Sequence, residues 1–322
     1  MSRRSVDSSH REGAAPAATA SAAAADQFLP ASVDDGLRRA LAIAAPLFSI
    51  GVLIAVIWRL QELDFGGIWA RVPASPAFWL VFLLYYFTQP AADWIIFRRL
   101  WKIPASGLPA LLRKRLSNEL LLGYSGELYF YAWARERGNI AGAPFGAIKD
   151  VAILSALAGN VVTLILFVVA LPVLDRHEFG ISPHVIFFSV LVIMGPSLLA
   201  MVLRGHLFAM PAGEMRFTLG VHFVRLITTI ALTMLLWHLA LAGVGLLWWL
   251  ALASLQLLVS RLPFVPSKDA LFAAFCVLLI GHHSRVVELT ALMASLMLVG
   301  HILVGAGLGA AGLVQHCRGR RA

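Results

Sequence analysis

Charged residues are scarce in this chain, at 13% of the total where soluble domains carry about 25%. Cysteine is nearly absent, with 2 residues in 322. Cys276 and Cys317 are too few for a disulfide framework, and no Cys or His spacing matches a structural zinc site. His282 and His283 stand beside Arg285 but lack the further His or carboxylate ligands that a metal-dependent membrane enzyme needs. No nucleotide-binding motif and no serine in an activating context is present. No cofactor, no metal and no catalytic nucleophile is therefore expected. The stretch Ala15 to Ala25 contains no Leu, Ile, Val or Phe and so cannot build the apolar core of a signal peptide. Residues 1–36 read as a disordered cytoplasmic tail, rich in Ala and Ser.

What the chain has in abundance is apolar surface. It is 60% hydrophobic, with a mean hydropathy of +0.82. That composition specifies an all-α, polytopic transmembrane bundle, because lipid leaves backbone polar groups no partner outside a helix or closed barrel. A span needs roughly 17 to 25 apolar residues. Clear candidates are Ala40 to Trp58, Pro76 to Phe97, Val151 to Leu174, Val185 to Leu203, Phe217 to Leu241 and Leu289 to Val314. Two shorter apolar pieces, Leu246 to Ser260 and Ala270 to Gly281, are split by Arg261, Pro263, Pro266, Lys268 and Asp269. If both cross, the bundle has eight spans; if they form a re-entrant pair of half helices, it has six. Either way the transmembrane domain covers 37–315, a basic cytoplasmic tail covers 316–322, and both termini share one side.

With the amino terminus inside, most of the 26 Lys and Arg fall in cytoplasmic segments, among them Arg98, Arg99, Lys102, Arg113, Lys114, Arg115, Arg135 and Arg137. This positive-inside pattern accounts for the net charge of +9 without a nucleic-acid partner. It places the chain in an integral membrane, the bacterial cytoplasmic membrane being the expected one.

The most informative interruption is Asn118 to Gly138, NELLLGYSGELYFYAWARERG. It lies in a cytoplasmic or interfacial segment, 98–143, whose stretch Leu108 to Leu122 suits an amphipathic helix. Gly123 and Gly126 then break the chain in a Gly-x-x-Gly-Glu turn. Beyond Gly126, helical spacing would place Glu127, Tyr131 and Arg135 on one face. Two readings stay open: a solvated interfacial helix, or a carboxylate facing a polar cavity.

Within the apolar runs, Lys149 and Asp150 open the third. Arg225 lies on a stripe of Thr218, His222, Thr229 and Thr233. Such a stripe is either a seam of interhelical hydrogen bonds or the wall of a polar path. The second interruption, RLPFVPSKD from Arg261 to Asp269, is either an ordinary Pro-containing loop or a broken-helix site. The candidate headgroup-binding residues are Glu127, Arg135, Lys149, Asp150, Arg225, Lys268 and Asp269, with Gly123, Gly126, Pro263 and Pro266 as turn residues. Glu127 is expected to share a cavity with Arg225.

On Asn118, Gly123, Gly126, Glu127, Arg135, Arg137 and Gly138, followed by the apolar stretch Ala147 to Val169, the chain resembles the lysylphosphatidylglycerol synthase transmembrane region, a flippase-like family of integral membrane proteins. Phe97 to Trp101, FRRLW, is similar to that family's basic-aromatic end of the second span. Leu262 to Asp269 matches the later family turn in part, with Ser267 and Lys268 where glycines are usual and Asp269 in place of Glu. The resemblance implies lipid transport: a bundle that moves or accommodates a lipid with a polar, phosphate-bearing headgroup. The synthase members carry a soluble aminoacyl-transferring domain after the membrane region. This sequence ends at Ala322, so aminoacyl transfer is not expected. Two other readings remain beside lipid transport: an enzyme acting on a lipid-linked substrate, with Glu127 or Asp269 as acid or base, and a non-catalytic assembly partner. The expected partners are membrane lipids, with a second copy or another membrane protein left open.

Overall fold

The computed structural model describes residues 72–120, 125–136, 144–175, 195, 208–262, 267–280 and 284–319, with side chains placed as far as residue 170 in the third stretch and 310 in the last. The expected spans Ala40 to Trp58 and Val185 to Leu203 (Gly195 apart), the tail 1–36, Gly123, Pro263, Pro266, His282 and His283 lie outside the described residues. Among the described residues the secondary structure is helical: α1 Pro76–Trp101, α2 Leu108–Leu120, α3 Ser125–Glu136, α4 Pro144–Asp175, α5 Ala212–Ala240, α6 Leu246–Ser260, α7 Lys268–Ile280 and α8 Arg285–Gly319, with a 3-10 turn at Ala105–Gly107. The all-α class is as expected. Among the described residues, four helices are long and apolar enough to cross a membrane, over Pro76–Trp101, Pro144–Ala170, Ala212–Ala240 and Arg285–Ala310. Their outward faces carry exposed Leu80, Leu83, Leu84, Ile165, Val168, Val224, Ile227 and Leu303, the surface a bilayer solvates and water does not.

α1 begins with proline in its first turn and ends on Arg98 and Arg99, both suited to their ends of the helix dipole. Lys102 closes it in the left-handed region at φ 53, donating its N–H to the Arg98 carbonyl at 2.9 Å. Pro90 lies inside α1. It has no N–H, so the Tyr86 carbonyl one turn earlier is left without its helical donor. That carbonyl accepts instead from the Arg115 guanidinium of α2.

This contact fixes the course of α2. Ala110 and Leu111 pack against Ile96 and Phe97, Lys114 reaches Asp93 and Arg115 reaches Tyr86, so α2 runs antiparallel along α1. Tyr86 is roughly 22 Å along the α1 axis from Trp101, at about 1.5 Å per residue. α3 returns toward Trp101, its Phe130 ring 4.7 Å from Phe97 and 5.3 Å from Trp133. Of the helix expected over Leu108 to Leu122, the described part runs Leu108–Leu120, and it buries Lys114 and Arg115 against α1.

α5 lies antiparallel to α1, tied at one end by Arg99 to Glu214 at 2.8 Å. At its other end Trp237 meets Trp249 of α6 at 5.7 Å between ring centroids. α6 then folds back along α5, and α7 returns with Phe272 stacked on Trp237. The two short helix pairs, α2–α3 and α6–α7, thus enter the bundle from opposite ends. Their tips touch: the Ser267 N–H donates to the Glu119 carbonyl at 2.9 Å. Tyr86, Phe82, Leu292 and Leu296 pack α1 on α8, while Trp237, Trp249, Phe272 and Val287 join α5 through α8.

Candidate functional site

A cavity of about 140 Å³ opens where the two tips meet. α1 contributes Tyr85 and Gln89, α2 Arg115 and Glu119, and α5 Arg225, Thr229 and Thr233; Gln256, Ser260 and Arg261 come from α6 and its end, Lys268 and Asp269 from the start of α7. Leu226, Ile230, Ala253 and Leu257 complete the lining, so the chamber is of mixed polarity and holds four cationic side chains against two carboxylates. The stripe read from the sequence faces inward as a unit, with Thr218, His222 and Thr233 buried.

Each cation is positioned by a different device. Arg225 donates Nη2 to Ser155 of α4 at 3.2 Å, and Arg115 lies 4.6 Å over the Tyr86 ring, a ring whose hydroxyl is 2.9 Å from His301 Nδ1. Lys268 donates Nζ to the Ser260 carbonyl at 2.8 Å, satisfying one of the orphan carbonyls at the end of α6. Arg261 lies against Gly159 of α4, where a β-carbon would fall 2.7 Å from its Cζ. Glycine there opens the space the guanidinium occupies. Of the acids, Asp269 accepts from Gln256 Nε2 at 3.1 Å. Among the described residues neither Arg115, Arg225 nor Lys268 forms an ion pair within 4.0 Å, and the buried Nε atoms of Arg115 and Arg225 have no hydrogen-bond partner.

Behind the cavity wall lies a second polar group, spanning α1 to α3. Lys114 Nζ is 2.8 Å from Asp93 Oδ2 and 3.6 Å from Glu127 Oε1, with the Phe97 and Phe130 rings at 5.7 and 5.9 Å. Burial opposes the Lys114 charge, but Asp93 and Glu127 outweigh it and raise its affinity for the proton. Asn118 ties the α2–α3 tip: its Oδ1 accepts the Gly126 N–H at 2.7 Å and its Nδ2 donates to Glu127 Oε1 at 3.3 Å. Asn118 thereby caps one of the free N–H groups at the start of α3.

The seven candidates therefore separate. Arg225, Lys268 and Asp269 line the one cavity. Glu127 is not among its lining residues and pairs with Lys114 instead; the shared cavity with Arg225 is corrected to two adjacent polar groups. Arg135 is exposed, its guanidinium 5.7 Å from the Tyr131 ring. Lys149 and Asp150 lie near the α5 start, where Asp150 Oδ2 accepts the Ala209 and Met210 N–H groups at 2.8 Å each. Asp150 is a brace for the entry to α5. Gly126 lies in the first turn of α3, directly against the Lys114 carbonyl.

Sequence reasoning passed over Asp93, Gln89 and Gln256, and treated Lys114, Arg115, Glu119 and Arg261 as topological. One signal was available: Gln89 and Asp93 flank Pro90 inside the apolar run Pro76 to Phe97, and a carboxylate at such a depth requires a partner. Comparison with protein-family models, with curated proteins and with solved structures finds no match.

Proposed function

We propose that this chain is a flippase-like protein of the bacterial cytoplasmic membrane, and that its central cavity receives the phosphate-bearing headgroup of a lipid during passage between leaflets. The observation that carries the reading is the cavity itself: four basic side chains from separate elements converge where two helix pairs from opposite ends of the bundle meet. Charges at that depth are costly without a ligand or partner, and guanidinium groups suit phosphate oxygens in particular. The resemblance on Asn118 to Gly138 points to the same chemistry. In this reading α2–α3 and α6–α7 are re-entrant half helices between spanning helices, and the basic ends of α1 and of the final segment face the cytoplasm.

The test is headgroup translocation of a fluorescent phospholipid in vesicles reconstituted with the purified protein. Arg225→Ala removes a charge-assisted contact worth about 1.5 to 3 kcal/mol, and the expected loss in rate is about ten- to a hundredfold. A rate unchanged in Arg225→Ala combined with Arg261→Ala would remove the cavity from the mechanism.

A milder change separates positioning from folding. Gly159→Ala removes no charge, but its new methyl displaces the mobile end of the Arg261 side chain. Expected is a several-fold fall in translocation with the thermal midpoint of unfolding nearly unmoved. A large stability loss with transport per folded molecule intact would assign Gly159 to packing alone.

A further inference from the structure

We propose that the contact between the two tips is a latch on the cavity, held shut by Ser267 and released when that residue turns back to cap its own helix. The inference rests on the headgroup reading above and names what regulates access to that site. Ser267 stands at the N-cap position of α7, its carbonyl accepting the Ala270 and Leu271 N–H groups at 2.9 and 3.1 Å. A serine there ordinarily adopts extended backbone and offers its side-chain oxygen to the N–H of the second or third helical residue, here Asp269 or Ala270. Among the described hydrogen bonds Ser267 does neither. Its φ is 49, in the left-handed region that a β-carbon disfavours. Its N–H is donated to the Glu119 carbonyl at 2.9 Å, and its hydroxyl lies 3.5 Å from the same oxygen.

The strain falls on one residue, and what it secures is the join between helix pairs that enter from opposite ends. Backbone strain of this kind persists only where the surroundings enforce it, and switch regions are among the places where it collects. Glu119 on one side of the join, and Lys268 and Asp269 on the other, all line the cavity. Parting the tips therefore opens the cavity through its wall. The second state needs no new chemistry: once Glu119 is released, Ser267 takes extended backbone and its hydroxyl caps α7, one bond replacing the other. Two alternative partners for one residue give an element with two discrete arrangements. Lys268 stays tied to the Ser260 carbonyl at 2.8 Å, so α6 and α7 move as a pair.

The experiment uses Ser267→Gly, which keeps the donated N–H and takes a positive φ without strain, so it favours the closed latch. The full chain is reconstituted in vesicles and read in two ways: translocation of a fluorescent phosphatidylglycerol, and the distance between two spin labels. The labels go on Leu128→Cys of α3 and Leu278→Cys of α7, both exposed, with Cys276 and Cys317 replaced by alanine. Expected with Ser267 are two distance populations. In Ser267→Gly the longer one is depleted and translocation slows about fivefold, the order of one left-handed residue's strain, while the thermal midpoint does not fall. A purely structural contact would not slow transport in a variant at least as stable. One distance population, the same with serine and with glycine, overturns the latch. Unchanged translocation in Ser267→Gly also overturns it, and loss of translocation in Arg225→Ala then leaves the headgroup site standing. A slowed variant with a lowered midpoint traces the loss to folding and overturns it too. Absence of translocation in the parent chain removes the headgroup reading, and the label distances still decide the latch.

Discussion

Lys114→Met is expected to cost about 3 to 5 kcal/mol of folding stability, the loss typical of removing one member of a buried ion pair. The size follows from what remains behind. Asp93 Oδ2, 2.8 Å from the ammonium, and Glu127 Oε1, 3.6 Å away, would be two carboxylates facing each other with their shared cation gone. Lys114 and Asp93 side chains are 7% and 9% exposed, so water does little to screen the pair. Thermal unfolding of the detergent-purified variant measures the loss. Adding Asp93→Asn to Lys114→Met should recover part of it, because the double variant strands one charge fewer and the two sites are in contact. Recovery of nothing would mean that the cost lies in lost packing against Phe97 and Phe130. The pH dependence has a definite sign. Folding raises the lysine above its ordinary value of 10.5, so its contribution is complete at neutral pH and disappears only as alkaline pH passes the folded value.

Gly126→Ala is the second large effect, expected at about 3 kcal/mol, near the upper end of overpacking costs. A β-carbon at Gly126 would overlap the Lys114 carbonyl oxygen and stand 2.8 Å from both the Lys114 carbonyl carbon and Asn118 Oδ1. Two of these atoms are helix backbone, so no rotamer change relieves the clash. α2 and α3 must part at the tip, losing the Asn118 cap on Gly126 and moving Lys114 from its carboxylates. Gly213→Ala is the matched control. Nothing lies within 4 Å of a β-carbon there, and an alanine in a helix should hold or improve stability by up to about 1 kcal/mol. Equal midpoints for the two variants would show that the α2–α3 contact is looser than its geometry implies.

These two predictions concern residues whose importance was unevenly legible. Gly126 stood out because a Gly-x-x-Gly pair between apolar segments marks a turn by local chemistry alone. Arg225 stood out because Thr218, His222, Thr229 and Thr233 fall on its stripe of the helix, a pattern the helix period exposes without knowledge of the fold. Lys114 and Arg115 were invisible as interior residues, since three basic residues flanked by leucines, Arg113 to Arg115, also describe a helix resting on headgroups. What takes them inside is Asp93 and the Tyr86 carbonyl, 21 and 29 residues away in sequence. Periodicity cannot report such a partnership. Helix ends show the same division. Four of the expected apolar runs fall on described helices, but α4 begins at Pro144 and α8 at Arg285, because both extend past charged residues, Lys149 and Asp150 in α4 and Arg285 and Glu288 in α8, at which a hydropathy window stops. Glu127 illustrates the remaining gap: its place on the turn was readable, while its partner depended on which helix α3 met.

Pro90 gives α1 a property that ordinary membrane helices lack: a backbone acceptor turned outward at a defined height. The anchor of Arg115 is main chain, not a carboxylate, so it contributes no charge of its own. The guanidinium is held in place with its full positive charge left to act on whatever enters beside it. An acidic anchor would have fixed the same side chain and cancelled it. In this bundle a missing hydrogen therefore performs a task for which an added side chain is poorly suited, separating where a cation stands from how strongly it attracts.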